Sequence, residues 1–296
     1  MTQKLSSPKM STSSVSGGLQ ERAPAKVNLG LHVLRRRPDG YHDIDTVMLP
    51  IGWQDTLTVE PAGAFGFTCS DAALPTDERN LCVRAALLLA ERAGVAPRGR
   101  LHLEKRVPHG AGLGGGSSDA AHTLRLLTRF WRLSLPSGTL HELATTLGSD
   151  VPFFLHDGAM QATGRGELLA PLGDEPYRLP YALAVVMPPV RVPTASAYAL
   201  VRPDDHARPD LGALVRSNDL DRWRRDLVND FEPPILARHP EVREAKGRLL
   251  NAGAGYAAMS GSGAAVYGVF EEAERAREVA EAVRRDGWAA WWAPAT

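Results

Sequence analysis

The sequence predicts an α+β chain of two domains, and three observations carry that expectation. Its 296 residues exceed one average domain and fall short of three, at about 150 residues per domain. Strand-like and helix-like patterns interleave without the regular period of a doubly wound sheet. The composition is ordinary for a globular protein, 44% hydrophobic and 23% charged. The 34 basic residues balance 34 acidic ones, which argues against a nucleic-acid partner, since such binders carry a basic excess. Cys69 and Cys82 cannot make a disulfide framework or a four-thiolate metal site, and they fit a reducing, cytoplasmic compartment. No segment reads as a membrane span, and nothing in the pattern gives the oligomeric state.

Residues 1–18 are rich in serine and lack an apolar core, so they are expected to be a disordered leader rather than a secretory signal. Val27, Leu29, Leu31 and Val33 then alternate with Lys26, Asn28, Gly30 and His32. That period of two predicts a half-buried first strand with Lys26 and Asn28 on one face. Pro38-Asp39-Gly40 makes a turn, because proline fixes φ and glycine permits positive φ. Tyr41 to Leu49 reads as the returning strand, Thr56 to Glu60 as a further short one, and Asn80 to Ala93 as a helix. Leu101 to Glu104 is a short strand. After a glycine-rich stretch, Ala120, Leu124, Leu127 and Trp131 fall at helical spacing, and a helix over Ser137 to Leu147 stops at Gly148.

Leu183 to Met187 is an apolar strand closed by Pro188 and Pro189. Helices are expected over Asn218 to Val228, Pro240 to Asn251 and Glu271 to Arg285, before a turn at Asp286-Gly287 and a last strand, Trp288 to Trp292. Leu249 to Phe270 is uncharged and long enough to span a bilayer. It holds five glycines, an asparagine and two serines, so it reads as strand and loop. The seam between domains is expected within Gly158 to Pro180, around Gly164-Arg165-Gly166. That divides the chain into 19–165 and 166–296.

The strongest local signal is the run Pro108, His109, Gly110, Ala111, Gly112, Leu113, Gly114, Gly115, Gly116, Ser117, Ser118. Five of its eleven residues are glycine, and a helix follows at once. Glycines let the backbone approach an anion, and the unpaired N–H groups and dipole of a helix N-terminus favour phosphate. Ser117 and Ser118 offer caps or hydroxyls for phosphate or metal. Gly110, Gly112 and Gly115 satisfy the dinucleotide spacing, but the residues before them, Glu104 to Pro108, are not the end of a buried strand. No Gly-Lys-Ser/Thr closes the run, which excludes a Walker A loop.

This run resembles the nucleotide-binding loop of the GHMP kinases, the galactokinase–homoserine kinase–mevalonate kinase–phosphomevalonate kinase superfamily. Ala25-Lys26-Val27-Asn28, Asp39-Gly40-Tyr41-His42, Gly148-Ser149-Asp150-Val151-Pro152-Phe153-Phe154 and Met259-Ser260-Gly261-Ser262-Gly263 extend the resemblance to roughly residues 22–270. The Gly40-Tyr41-His42 and Ser149 to Phe154 motifs resemble the branch whose alcohol substrate is 4-diphosphocytidyl-2-C-methyl-D-erythritol. The resemblance implies an N-terminal domain like the second domain of ribosomal protein S5 and a ferredoxin-like C-terminal domain. ATP, with Mg2+, and the alcohol would meet between them. An amino-acid or mevalonate-type acid is the alternative acceptor, and a non-catalytic nucleotide-binding module would be expected to lack Lys26 or Asp150.

Phosphoryl transfer to an alcohol needs a placed hydroxyl, a proton acceptor and positive charge on the phosphates. The resemblance makes Asp150 the acceptor and Lys26 its partner, although an aspartate two residues before Pro152 also reads as a helix cap. It makes Asn28, Tyr41, His42, Thr194 and Tyr198 the substrate contacts. His42 would read cytosine while Tyr41 and Tyr198 stack on it. Tyr198 stands where the family often has phenylalanine, and Asp119 where asparagine is common. The Mg2+ ligands stay open, with Ser117 and Asp150 the oxygens to consider. Arg35 to Arg37 read as a solvated loop.

Overall fold

A computed structural model of the chain describes residues 18–295. The leader expected over 1–18 lies outside the described residues except for Gly18. The first sheet is built on a long antiparallel hairpin of β1 (Leu19–Arg36) and β2 (His42–Glu60), turned at Pro38 to Gly40. One half of β2 pairs with β4 (Gly99–Glu104), which β3 (Phe65–Cys69) flanks in parallel. The other half pairs with β5 (Met160–Gly164), and β5 with β6 (Leu168–Pro171). The helix α2 (Gly115–Phe130) packs against this sheet, α1 (Leu81–Ala93) and α3 (Thr139–Leu147) pack against α2, and Leu57, Leu89, Leu101, Leu124 and Leu127 share one core. A 3-10 turn, Pro152–Leu155, follows α3.

The second sheet has strand order β10-β7-β9-β8, from β7 (Ala182–Met187), β8 (Tyr256–Met259), β9 (Val266–Phe270) and β10 (Ala289–Ala293), all antiparallel. Short helices α4 (Thr194–Leu200), α5 (Leu211–Arg216), α6 (Leu220–Asp226) and α7 (Glu232–Arg238) separate β7 from α8 (Pro240–Asn251), and α9 (Ala273–Arg285) joins β9 to β10. Taking β7, α8, β8, β9, α9 and β10 in turn gives the ferredoxin-like order the resemblance implied. The α+β expectation is met.

Four expectations need correction. Tyr41 to Leu49 and Thr56 to Glu60 are parts of one strand. Pro50, between the two stretches, sits in register opposite Lys26. The first strand is not half-buried. Its polar face, Lys26, Asn28 and His32, is as buried as its apolar one, because both faces are covered. The helix expected from Asn218 begins at Leu220, capped by the Asp219 carboxylate, and ends at Asp226. The seam at residue 165 falls inside the β5–β6 hairpin, so the first sheet continues to Pro171. No helix among the described residues is long and apolar enough to cross a membrane.

Candidate active site

The glycine-rich loop, Pro108 to Ser118, leaves β4 and ends in α2. Gly114, at φ +68°, turns the chain into the helix. Its position leaves no room for a side chain, since a Cβ there would come within 2.9 Å of Phe154 and 3.1 Å of Lys26. The loop carbonyls are held from both sheets. Leu113 O accepts from Lys26 N (2.9 Å) and Ala111 O from Ala265 N (3.0 Å). Gly112 O accepts from Ser260 Oγ (2.9 Å) and Lys26 Nζ (3.1 Å). A Cβ on Gly112 would lie only 2.2 Å from Ser260 O, so the Met259 to Gly263 turn rests directly on the loop. Asn229 holds that turn by donating to Met259 O and Gly261 O. Ser118 N donates to Gly114 O, so the amides of Gly115, Gly116 and Ser117 precede the first intrahelical bond.

These elements frame a cavity of about 310 Å³ lined by Lys26, Asn28, most of the glycine-rich loop and Asp150. Lys26 is buried, with Nζ 2.6 Å from Asn28 Oδ1 and 3.6 Å from an Asp150 oxygen. Burial pushes the Lys26 ammonium down from its ordinary range, and Asp150 partly restores it. Asn28 is fixed in turn by donating to Thr46 Oγ1 (2.9 Å). Asp150 lies between the end of α3 and the 3-10 turn. That turn has no side-chain cap, so the capping role open to Asp150 in the sequence is not the one its carboxylate takes.

A second cavity, of about 850 Å³, opens beside the first and is lined by Arg36, Tyr41, His42, Asp150, Arg165, Thr194 and Tyr198. His42 and Tyr198 stack with ring centroids 4.8 Å apart. Burial and Arg36 hold the His42 imidazole below its usual range, so it is neutral at pH 7 with one donor and one acceptor nitrogen. Burial, then Asp150, pushes the Tyr198 phenol up to about 12, which keeps its proton. Thr194 Oγ1 lies 3.1 Å from Ser262 Oγ, joining this wall to the second glycine-rich turn.

Several expected site residues are placed otherwise than the sequence implied. Tyr41 does not pair with Tyr198. Its ring is 55% exposed and lies under the Arg165 guanidinium. The Ser118 hydroxyl is fully buried and faces His122, so Ser117 alone of the two serines lines the cavity. His109 turns outward to Asp71 and Arg191. Asp119 faces inward to Lys105. Arg35 and Arg37 are engaged by Asp43 and Asp39. Arg165, which lines both cavities, was legible only as a residue between two loop glycines.

Lys26 and Asp150 thus stand between the glycine-rich loop and an aromatic pocket. Residues 80–158 match the profile of the GHMP kinases N terminal domain, and residues 210–289 that of the GHMP kinases C terminal domain. The 4-diphosphocytidyl-2-C-methyl-D-erythritol kinase of Salinibacter ruber is 53% identical, over 90% of this chain and 95% of its own. The chain belongs to the GHMP kinases, in the 4-diphosphocytidyl-2-C-methyl-D-erythritol kinase family. That of Chlorobium phaeobacteroides is 45% identical, over 89% of this chain and 93% of its own. A crystal structure of 4-(cytidine 5'-diphospho)-2C-methyl-D-erythritol kinase superposes with a TM-score of 0.77 at 41% identity, covering 92% of this chain and 97% of that one. A mevalonate kinase superposes at 0.71 with 12% identity, which speaks to the fold alone. The chain is therefore a small-molecule kinase that uses ATP.

Proposed function

We infer that this kinase transfers the γ-phosphoryl group of ATP to the 2-hydroxyl of 4-diphosphocytidyl-2-C-methyl-D-erythritol, a step of non-mevalonate isoprenoid precursor synthesis. One observation carries the reading. Asp150 lines both cavities, one framed by the phosphate loop and the other by a neutral histidine stacked on a tyrosine. A pyrimidine offers an aromatic face and a donor/acceptor edge, which suit Tyr198 and neutral His42. The relatives named above carry the same substrate in their names.

In this reading Asp150 orients the acceptor hydroxyl and takes its proton late, because the transition state of phosphoryl transfer is loose. Lys26 holds the Asp150 carboxylate and supplies positive charge beside the moving phosphoryl. The α2 N-terminus and its free amides bind the phosphates. Magnesium prefers oxygen ligands and keeps most of its waters, and the oxygens that fit it are the Ser117 hydroxyl and the Asp150 carboxylate. When bound, it neutralises phosphate charge. The group Asp204, Asp205 and His206 lies on another loop and lines neither cavity.

The test is ATP consumption measured across a cytidine-diphosphate alcohol, mevalonate and homoserine. Turnover with the cytidylyl alcohol alone is expected. Comparable turnover with either of the others would overturn the substrate assignment.

A further inference from the structure

Behind the phosphate loop lie three buried charges that the transfer chemistry does not use. Lys105 follows β4, Asp119 lies in the second turn of α2, and the two bracket the loop. Lys105 Nζ is 2.8 Å from Asp119 Oδ2 and 2.5 Å from Asp55 Oδ2. All three side chains are at most 5% exposed. Asp55 belongs to β2, and its other oxygen accepts from Arg106 N (2.5 Å) and Val107 N (2.9 Å), the two residues that lead into the loop. A Cβ built on Gly115 would be 3.4 Å from Lys105 Nζ, so the ammonium sits against the first residue of α2.

We propose that Lys105, Asp119 and Asp55 form a clasp that closes the stem of the phosphate loop and positions the first amides of α2 for the phosphates of ATP. The clasp rests on the reading of this loop as the ATP site. A stretch with five glycines between Pro108 and Ser118 has wide conformational freedom, which must be lost before its amides converge on one anion. Joining the entry of the loop to its exit helix through one ammonium removes much of that freedom in advance. Asp55 sets where the joined stem stands, because it belongs to the central strand and fixes the two backbone amides beyond Lys105. None of the three lines either cavity, so these are positioning residues.

The test separates nucleotide affinity from turnover. Lys105→Met leaves Asp55 and Asp119 facing each other without a cation, which opens the stem. At a temperature where circular dichroism shows the variant folded, its KM for ATP is expected to rise about ten-fold or more, with the KM for the alcohol changed less than about two-fold and kcat little altered. Lys105→Arg, whose guanidinium reaches both carboxylates, is expected to recover most of the affinity. Asp119→Asn keeps the shape and one hydrogen bond, with an expected rise of about three-fold. An unchanged KM for ATP in folded Lys105→Met overturns the clasp, as does a parallel rise in both KM values. If Lys105→Met does not fold, a nucleotide titration of Asp119→Asn decides by the same criterion. Gly116→Asp, tested alongside, separates the two levels. Retained ATP affinity there removes the loop from the nucleotide site and the clasp with it. Lost affinity there with normal affinity in Lys105→Met removes the clasp alone.

Discussion

At the scale of single residues, position and burial decide what each charged group does. Asp150 stands beside the Lys26 ammonium, and its carboxylate does not cap the 3-10 turn that follows it. Asp150→Asn keeps the shape and removes the proton acceptor, so kcat is expected to fall about 10²–10⁴-fold with both substrates still bound. Lys26→Met should slow turnover strongly too, and the double variant by much less than the product, because the pair acts as a unit. Steady-state kinetics with separate binding titrations checks this, and near-normal turnover in folded Asp150→Asn would refute it. His42 gives a pH signature. It is needed neutral, and its pKa lies below the ordinary imidazole range, so the KM for the alcohol is expected to stay flat above neutrality and to rise only in acid. His42→Gln should abolish that rise. A KM that rises already between pH 8 and 7 would contradict the assignment.

Asp119 illustrates the opposite balance. Burial pushes its carboxyl up to about 7 despite Lys105, and Asp55 adds to the rise. One of its oxygens is buried without a hydrogen-bond partner. Because the folded-state pKa lies above the unfolded one, the folded form binds more protons between these values. The stabilisation Asp119 gives is complete in acid, below the unfolded-state pKa, and is lost as the pH rises through 7. Asp119→Asn should therefore gain stability relative to the parent on going from pH 5 to pH 8. Urea unfolding at both values tests it, and a pH-independent difference would rule it out. A buried ion pair of this kind fixes position at the expense of stability.

At the scale of elements, the α2 N-terminus is assembled from three separate pieces of chain. β1 donates to the loop through Lys26, Ser260 of the Met259 to Gly263 turn and Ala265 just beyond it hold the carbonyls of Gly112 and Ala111, and Asn229 holds that turn. Gly114 is a poor position at which to probe the phosphate, since a side chain there strikes Phe154 and Lys26. Gly116 is better. It lines the cavity, and a Cβ on it meets nothing within 4 Å. Gly116→Asp should fold normally, because no contact is disturbed, yet lose most ATP affinity by placing an anion where the phosphates belong. Calorimetric titration with ATP and a thermal melt check both halves. The run of glycines before a helix was legible because it is local. That Ser118 and His109 turn away from the cavity was not, because their directions follow from His122 and from Asp71 and Arg191, which the loop's own spacing does not show.

At the scale of the whole molecule, the two sheets are not independent. Val27, Leu29, Leu31 and Val33 of β1 belong to the same apolar core as Val185, Trp223 and Val266 of the C-terminal half. Tyr267 donates its hydroxyl proton to Asn28 O across the join. A single cooperative unfolding transition is therefore expected in calorimetry. A fragment ending at Pro171 should not fold alone, because β1 would expose one apolar face. Two resolved transitions would show that the halves are separate after all.

The sequence by itself determined the α+β class, the long helices and their stops, the glycine-rich run before α2, and the pairing of Lys26 with Asp150 that the family motifs imply. Each of these rests on spacing within a short window or on a contiguous motif. Only the tertiary structure decided the rest. Short elements such as β6, α5 and α7 have too few residues to show a period, and neighbours across the core hold them in place. The β5–β6 pairing carried the first sheet past the expected seam. The stacking of His42 on Tyr198, the reach of Arg165 into both cavities, and the burial of Asp55, Lys105 and Asp119 join residues far apart in the chain. Contacts of that kind leave no local periodicity, so they appear only once the two sheets have closed on one another.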